Sequence, residues 1–339
     1  MDNLTHTLTG VLLSRAGFNR RAPRATLALV LAVNAPDIDI VSRWQGSLAY
    51  LHYHRGATHS LLAAPVLAAL VTGLVWLLSR GKKEKFRWGW AYLASLTGVT
   101  SHVLMDFMNT YGIRPFWPWS GQWYSCDIEF IVDPWVLAAL LACLAGPAFG
   151  RMISGEIGAQ AGRGSAAAVL GLALVAGGWG ARELLHRRAV AMLEARLYGF
   201  NPAASSDGEA AARSMEGLPP LRTAAFATAL NPFLWRGFVE TEGFYEMVDV
   251  DVRLPLDPTA GRIYYKPERM PALAAALETR TAREFSAFAR YRYASVERVE
   301  DGYRVILTDF RFRRERPSGF TCTIDLDENL RVAREAFRF

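Results

Sequence analysis

The sequence predicts an α-helical membrane bundle, with four long and two short N-terminal helices, followed by a small α+β domain outside the membrane. Hydrophobic residues make up 51% of the 339 residues and charged residues 21%. The apolar residues are concentrated before Arg182 and the charged residues after it. This asymmetry predicts a membrane half and a soluble half. We expect a membrane domain over residues 1–181, a linker or helical connection over 182–230 and an α+β domain over 231–339.

Four segments have the length and apolar character of membrane-spanning helices. A helix needs about 20 residues to cross about 30 Å of hydrocarbon. The segments that approach this length are residues 61–78, 88–108, 131–149 and 165–181. Two earlier apolar runs, residues 4–13 and 26–33, are about half as long, so they predict short or tilted helices.

The distribution of basic residues predicts the orientation, because Lys and Arg collect in short cytoplasmic loops. Loops 15–24 and 80–87 are basic, whereas loop 109–130 has a single arginine and several tryptophans. Alternation of the helices then puts residues 37–59, the end of the 88–108 helix and the C-terminal domain on the non-cytoplasmic side. The sequence therefore predicts a multi-pass protein of the bacterial inner membrane.

The C-terminal part of the chain has a different pattern. Residues 244–252, 303–309 and 320–326 alternate between apolar and polar side chains, as half-buried strands do. Residues 271–291 have a helical pattern between them. Residues 201–217 are rich in Ala, Ser, Gly and acidic residues and predict a linker.

Composition and motifs exclude several functional classes. The formal net charge is +6, but the basic residues are scattered, so nucleic acid is not an expected partner. The three cysteines, Cys126, Cys143 and Cys322, have no CxxC spacing. The chain has no GxSxG, P-loop or HExxH motif. Its first residues lack the order of a signal peptide, so we expect the helices themselves to direct membrane insertion.

Five of the six histidines precede residue 103, in the apolar half, where a buried ionisable group needs a partner. His102 and Asp106 are four residues apart, on one face of a helix. They could bind one metal ion or form a hydrogen-bonded pair within the bundle. Asp37 and Asp39 follow Pro36, in a turn that could present both carboxylates to a cation or end a helix.

A cluster of histidines comes directly before the first long apolar segment. Gly56 permits a tight turn through which His54 and His59 could converge on one site, and His52 precedes them. The alternative is a histidine-rich interfacial loop. His6 alone is uninformative, but the predicted topology brings it to the same face as the other candidates.

Together these residues predict a shared metal site. The expected ligands are His6, Asp37, Asp39, His54, His59, His102 and Asp106. Imidazole with carboxylate favours zinc or another transition metal over magnesium, and a set of this size suggests one or two ions. Hydrolysis by an activated water is the expected chemistry, with Asp37 or Asp39 as general base and Arg55 stabilising negative charge.

Three further acidic residues, Asp127, Glu129 and Asp133, lie in or beside loop 109–130 and could add ligands to the site. Asp133 directly precedes Pro134 at the predicted start of a helix. A carboxylate in this position ordinarily accepts hydrogen bonds from the first backbone N–H groups. We therefore expect Asp133 to cap the helix.

The chain resembles the YdjM family of membrane-bound metal-dependent hydrolases over roughly its first 150 residues. The resemblance lies in Thr5-His6, Pro36-Asp37-Ile38-Asp39, His54-Arg55-Gly56-Ala57-Thr58-His59-Ser60 and His102-x-x-x-Asp106. It implies a metal-dependent hydrolase. The order of these motifs is more distantly similar to bacterial zinc-dependent phospholipase C, an all-helical phosphodiesterase, which implies a phosphoester substrate. The later HxxxE pair and N-terminal Trp ligand of that enzyme are missing, which argues against a cluster of three zinc ions.

From these observations we expect a membrane-embedded hydrolase that cleaves a lipid or lipid-linked ester, with a phosphoester favoured over a carboxylic ester or an amide. Two alternatives remain open. The same residues could bind a metal ion in a transporter or sensor, or they could hold together a membrane assembly protein. Ligand depth in the membrane tests the first alternative, and metal content tests the second.

Overall fold

The computed structural model describes residues 1–157, 164–198, 217, 219–257, 260–268, 270–313 and 320–338. The chain divides into two compact units, Met1–Ala181 and Arg182–Phe339. Most of the predicted linker, residues 201–216, lies outside the described residues.

The first unit is helical, which agrees with the predicted fold class for this half of the chain. Its helices are α1 (Asn3–Leu13), α2 (Asn19–Arg21), α3 (Ala25–Ala32), α4 (Ser47–Tyr53), α5 (Ala63–Leu78), α6 (Trp88–Met108), α7 (Pro134–Ile157) and α8 (Ser165–Glu194), of which α8 continues into the second unit. A π-helical turn, Ser14–Phe18, follows α1. A first 3₁₀ helix, Pro36–Gln45, follows α3, and a second 3₁₀ helix, Ala57–His59, precedes α5.

The prediction of four membrane-spanning helices is not confirmed. Among the described residues, α8 is long and apolar enough to cross a membrane, and up to three spans are possible if each of two bent helix pairs counts as one. Helix α5 has 16 residues and qualifies only together with the bent segment before it. Helix α6 has 21 residues, but His102, Asp106 and several Ser and Thr residues lower its hydropathy.

Close packing of three helices builds the framework of the site. A Cβ atom at Gly98 of α6 would lie 2.7 Å from Cβ of Ala32 in α3. A Cβ atom at Gly10 of α1 would lie 3.0 Å from Cγ2 of Val33, which directly follows α3. Only glycine allows backbones to approach this closely. Helix α3 is therefore held tightly between α1 and α6.

The second unit contains two four-stranded antiparallel sheets, each with its strands in sequence order. The first sheet has β1 (Arg222–Ala227), β2 (Leu234–Glu240), β3 (Phe244–Asp251) and β4 (Arg262–Tyr265), and the second has β5 (Arg292–Val299), β6 (Gly302–Asp309), β7 (Thr321–Asp327) and β8 (Val332–Arg338). Helices α9 (Pro271–Leu277) and α10 (Arg280–Phe288) lie between the sheets in sequence. Aromatic side chains form a buried cluster, with Phe226 and Phe238 from the first sheet and Phe310 from the turn after β6.

The strand patterns at 244–252, 303–309 and 320–326 correspond to β3, β6 and β7. The helical pattern at 271–291 corresponds to α9 and α10, which are separate because Thr279 caps α10 by accepting a hydrogen bond from the backbone N–H of Ala282. Strand β1 lies inside the segment predicted as a connection, 182–230. Its alanine-rich sequence lacks the alternation that marks the other strands.

Candidate metal centre

Four side chains of the first unit bring one ligand atom each to a common point. The Nε2 atoms of His59 and His102 are 3.0 Å apart. Oδ2 of Asp106 lies 3.3 Å from His59 Nε2 and 3.4 Å from His102 Nε2. Oδ1 of Asp37 lies 3.5 Å from His59 Nε2 and 3.6 Å from His102 Nε2. These residues form a group able to hold a metal ion.

The separations have the size that a tetrahedral ion requires. Zinc binds imidazole nitrogen and carboxylate oxygen at about 2.0–2.1 Å, which places neighbouring ligand atoms about 3.3 Å apart. The five distances given above lie between 3.0 and 3.6 Å. One ion at the centre could therefore contact all four atoms without a large movement of the backbone.

The hydrogen bonds of the two imidazoles leave lone pairs facing the centre. Nδ1 of His102 lies 2.7 Å from the carbonyl oxygen of Val33, so this nitrogen donates its hydrogen. Nδ1 of His59 lies 3.1 Å from Oγ1 of Thr58 and 3.4 Å from Oδ2 of Asp39. The hydroxyl of Thr58 donates to Asp39, so Nδ1 of His59 is again the donor. If both rings are neutral, each Nε2 has a lone pair that faces the two carboxylate oxygens, and a cation bound between these four atoms would stabilise the arrangement.

The four ligands come from three elements. Asp37 is in the first 3₁₀ helix, directly after its first residue, Pro36. His59 is the last residue of the second 3₁₀ helix. His102 and Asp106 lie on one face of α6, one helical turn apart. Because Gly98 lies one turn before His102, the close contact of α6 with α3 brings His102 to the carbonyl of Val33.

Asp39 lies behind His59. Its Oδ1 is 2.9 Å from Nδ1 of His54, and its Oδ2 accepts hydrogen bonds from the backbone N–H of Arg55 and the hydroxyl of Thr58, each at 2.9 Å. Both oxygens are therefore engaged within the protein. This arrangement favours a role in orienting the imidazoles, as carboxylates beside metal-binding histidines commonly do, over the role of general base that the sequence suggested.

His54 is close to the four-residue group but outside it. Its ring stacks on Tyr50, with centroids 4.4 Å apart, and its side chain is 12% exposed. Together with Asp37 and Asp39 it forms a second, overlapping group able to hold a metal ion. His54 and Asp39 thus belong to a group that shares Asp37 with the four-residue group, whereas the sequence placed all seven candidates in one site.

The turn before His59 differs from the expected one. The left-handed residue is Arg55, with a φ of 53°, whereas Gly56 has a negative φ. Gly56 is needed for space, because a Cβ atom there would lie 2.5 Å from Nη2 of Arg114 and 3.0 Å from the carbonyl oxygen of Tyr53. The turn directs the side chain of Arg55 into the protein, where Arg55 is 4% exposed.

Arg55 provides a positive charge beside the four-residue group. Its Nε lies 3.1 Å from Oδ2 of Asp106, and its Nη1 donates to Oδ1 of Asn109 at 3.1 Å. Asn109 is fully buried, and its Nδ2 lies 3.4 Å from Oδ1 of Asp106. Sequence reasoning missed Asn109. Its position three residues after Asp106, at the end of α6, was the available signal.

His6 of α1 lies on the other side of His102. Its ring is fully buried and stacks on the ring of His102, with centroids 3.8 Å apart and an angle of 21° between the planes. Its Nε2 is 3.4 Å from Oδ1 of Asp106, an oxygen that the amino group of Met1 also contacts. His6 therefore adjoins the group through the second oxygen of a shared carboxylate.

The site is closed on most sides and open at Asp37. The side chains of His59, His102 and Asp106 are 0% exposed, whereas that of Asp37 is 14% exposed. A bound ion would thus be held by three buried ligands and reached from the side of the fourth. The geometry allows metal binding with one accessible face.

The remaining sequence candidates have other surroundings. Oδ1 of Asp133 accepts hydrogen bonds at 2.9 and 3.1 Å from two backbone N–H groups in the first turn of α7, which is the expected cap. Asp127 accepts a hydrogen bond from Ser125, and His52 is exposed. Within the described parts of the chain, Asp127, Glu129, Asp133 and His52 belong to no group of potential metal ligands.

Two protein-family models match this chain, one in each half. The family model described as YdjM inner membrane protein matches residues 1–185, and the model described as YfhP C-terminal alpha/beta plait domain matches residues 271–338. The chain is 29% identical over 153 residues to the "Uncharacterized protein YfhP" of Bacillus subtilis (strain 168). That match covers 43% of this chain and 46% of the relative, so it spans less than half of either protein.

No solved structure matches the chain. The YdjM match extends over more than half of the 339 residues. It contains every residue of the four-residue group and of the network around it. The chain therefore belongs to the YdjM family of inner membrane proteins.

Proposed function

We propose that this protein is a membrane-embedded metal-dependent hydrolase. The observation that carries the proposal is the convergence of four lone-pair atoms, from His59, His102, Asp37 and Asp106, at separations of 3.0 to 3.6 Å. The exposure of Asp37 leaves one side for water and substrate. With four protein ligands, the ion would bind water as a fifth ligand on the side of Asp37, because zinc in catalytic sites can expand to five-coordination.

Zinc is the proposed ion, because two imidazole nitrogens and two carboxylate oxygens at tetrahedral spacing match its preferences. When bound, the ion would supply Lewis acidity and activate water near neutral pH. The protein supplies the orientation of the ligands. The carbonyl of Val33 orients His102, and Asp39 orients His59.

Two charged side chains suit the hydrolytic step. Asp37 is the most exposed ligand and lies where water would enter, so its carboxylate oxygen that does not bind the ion is placed to accept a proton from that water. The guanidinium of Arg55 lies next to Asp106, where it would stabilise negative charge that develops on the substrate. This stabilisation favours a phosphoester, whose transition state has more negative charge than that of a carboxylic ester or an amide.

The surface beside Asp37 favours a lipid or lipid-linked substrate. In the first 3₁₀ helix, Ile38 and Ile40 are 61% and 52% exposed, and Trp44 is 91% exposed, whereas Asp39 is buried. An apolar face next to a polar site suits the membrane interface, where tryptophan is enriched. A lipid could keep its chains in the bilayer while its ester reaches the site.

We also propose that the site and the C-terminal domain face the non-cytoplasmic side, because loops 15–24 and 80–87 are the basic ones. The test replaces the three native cysteines and introduces Ser120→Cys or Lys83→Cys. A membrane-impermeant maleimide applied to intact spheroplasts should label the first variant and not the second. Labelling of the Lys83→Cys variant alone would indicate the opposite orientation.

A non-enzymatic role in metal transport or sensing has one observation in its favour. Three of the four ligands are 0% exposed, which also suits a protein that only binds an ion. Such a protein would bind metal without changing any lipid. A membrane assembly protein would hold no metal at all.

Hydrolysis is tested with lipids extracted from membranes. The purified full chain, loaded with Zn²⁺, and a His102→Ala variant are incubated with these lipids, and products are compared by mass spectrometry. A His52→Ala variant is the matched control, because His52 is exposed and outside the ligand groups. We expect new hydrolysis products with wild type and the control and none with His102→Ala. Identical profiles for wild type and His102→Ala would contradict the proposal.

A further inference from the structure

The two oxygens of Asp106 face different histidines. Oδ2 lies within 3.4 Å of the Nε2 atoms of His59 and His102, inside the four-residue group. Oδ1 lies 3.4 Å from Nε2 of His6, outside that group. A carboxylate with this division of contacts can bind one ion through each oxygen.

The position of His6 is not explained by hydrogen bonds to the residues that the structure describes. The residue is fully buried, and among those residues neither of its ring nitrogens has a hydrogen-bond partner. Buried polar groups ordinarily find a partner, so an unsatisfied imidazole next to a carboxylate calls for a ligand. The contact of the Met1 amino group with the same Asp106 oxygen places a positive charge at this point.

The stacking of His6 on His102 sets the direction of both rings. The ring planes are 21° apart and the centroids 3.8 Å apart, and both Nε2 atoms lie 3.4 Å from an oxygen of the same carboxylate. The two nitrogens therefore face the same side of the stack. Ions bound to them would lie next to each other, at a separation close to the 3.5–4 Å or so that is typical of two-metal hydrolytic sites.

We propose that a second divalent ion binds between Nε2 of His6 and Oδ1 of Asp106, so that Asp106 bridges two ions. The second ion would take the place of the Met1 amino group, and water would complete its coordination. The inference rests on the proposed function and narrows it. Two adjacent ions can stabilise both the attacking and the leaving oxygen of an in-line displacement, which favours a phosphoester substrate.

Metal stoichiometry tests the second site. The detergent-purified full chain is stripped with a chelator and titrated with Mn²⁺, and bound metal is counted by elemental analysis. His6→Phe keeps an aromatic ring on His102 and removes the ligand nitrogens, and His52→Phe is the matched control. We expect two Mn²⁺ per chain in wild type and His52→Phe, and one in His6→Phe.

Electron paramagnetic resonance gives an independent measure. Wild type with two Mn²⁺ should show a spin-coupled spectrum, and His6→Phe should show that of an isolated Mn²⁺. One Mn²⁺ in wild type, or two in His6→Phe, would overturn the second site and leave the proposed hydrolase intact. No bound Mn²⁺ in wild type would overturn the second site, and failure to bind Zn²⁺ as well would overturn both. Retention of one ion by His6→Phe shows that this variant is folded.

Discussion

The ring of His59 is held differently at its two nitrogens. Nε2 faces the group of ligands, while Nδ1 faces Thr58 and the carboxylate of Asp39. The second contact fixes both the direction of the ring and the nitrogen that has the hydrogen. Asp39 is therefore expected to control metal affinity without binding the ion of the four-residue group.

This role predicts the effect of Asp39→Asn. An amide can accept fewer of the hydrogen bonds that Asp39 accepts, so His59 should be less well oriented and metal affinity should fall by about 10- to 100-fold. Competition of the protein with a Zn²⁺-chelating dye measures the affinity, with the exposed Asp249→Asn as control. Unchanged affinity would contradict the positioning role of Asp39. Loss of binding even at saturating Zn²⁺ would indicate that Asp39 binds the ion directly.

The contact between α3 and α6 determines where His102 lies. Gly98→Ala would place a methyl group 2.7 Å from Cβ of Ala32 and force the helices apart. We expect a loss of about 1–3 kcal/mol of stability and weaker metal binding. Gly89 lies in the same helix with open space around it, so Gly89→Ala should lower neither the stability nor the metal binding. Thermal unfolding in detergent and metal analysis measure both effects, and equal stability of the two variants would contradict this account.

In the second unit, β3 contains a buried carboxyl group. Glu246 is 4% exposed and burial raises its pKa above the ordinary value of 4.5. The ionised form is thus disfavoured in the folded state, so stability is lost as the pH rises above about 4.5. Glu246→Gln should unfold at a higher temperature than wild type at pH 7 and at the same temperature near pH 4. The exposed Glu242→Gln is the control. An equal difference at both pH values would contradict the prediction.

The sequence could predict those parts of the site that depend on the regular period of an α-helix. The four-residue spacing of His102 and Asp106 specifies their common face, because helix geometry is regular. The roles of Asp37 and Asp39 depend on a 3₁₀ helix of ten residues, and apolar periodicity does not reveal such a helix. Asn109 accepts a hydrogen bond from Arg55, and these two residues are far apart in the sequence, so only the folded structure reveals the contact.

The sequence predicted a helical half followed by an α+β half, and the structure confirms helices before a part with both strands and helices. The number of membrane spans could not be predicted reliably. The residues that form the candidate site also make α6 polar, and the bend between the second 3₁₀ helix and α5 divides an apolar run.

The convergence of His59, His102, Asp37 and Asp106 supports the binding of a divalent metal ion by this family member. Its most direct test is elemental analysis of the detergent-purified full chain. We predict at least one divalent ion per chain in wild type and in His52→Ala, and a loss of that ion in folded His59→Ala and Asp106→Ala variants. Wild-type protein without stoichiometric metal after incubation with Zn²⁺, or unchanged metal content in both variants, would contradict the claim.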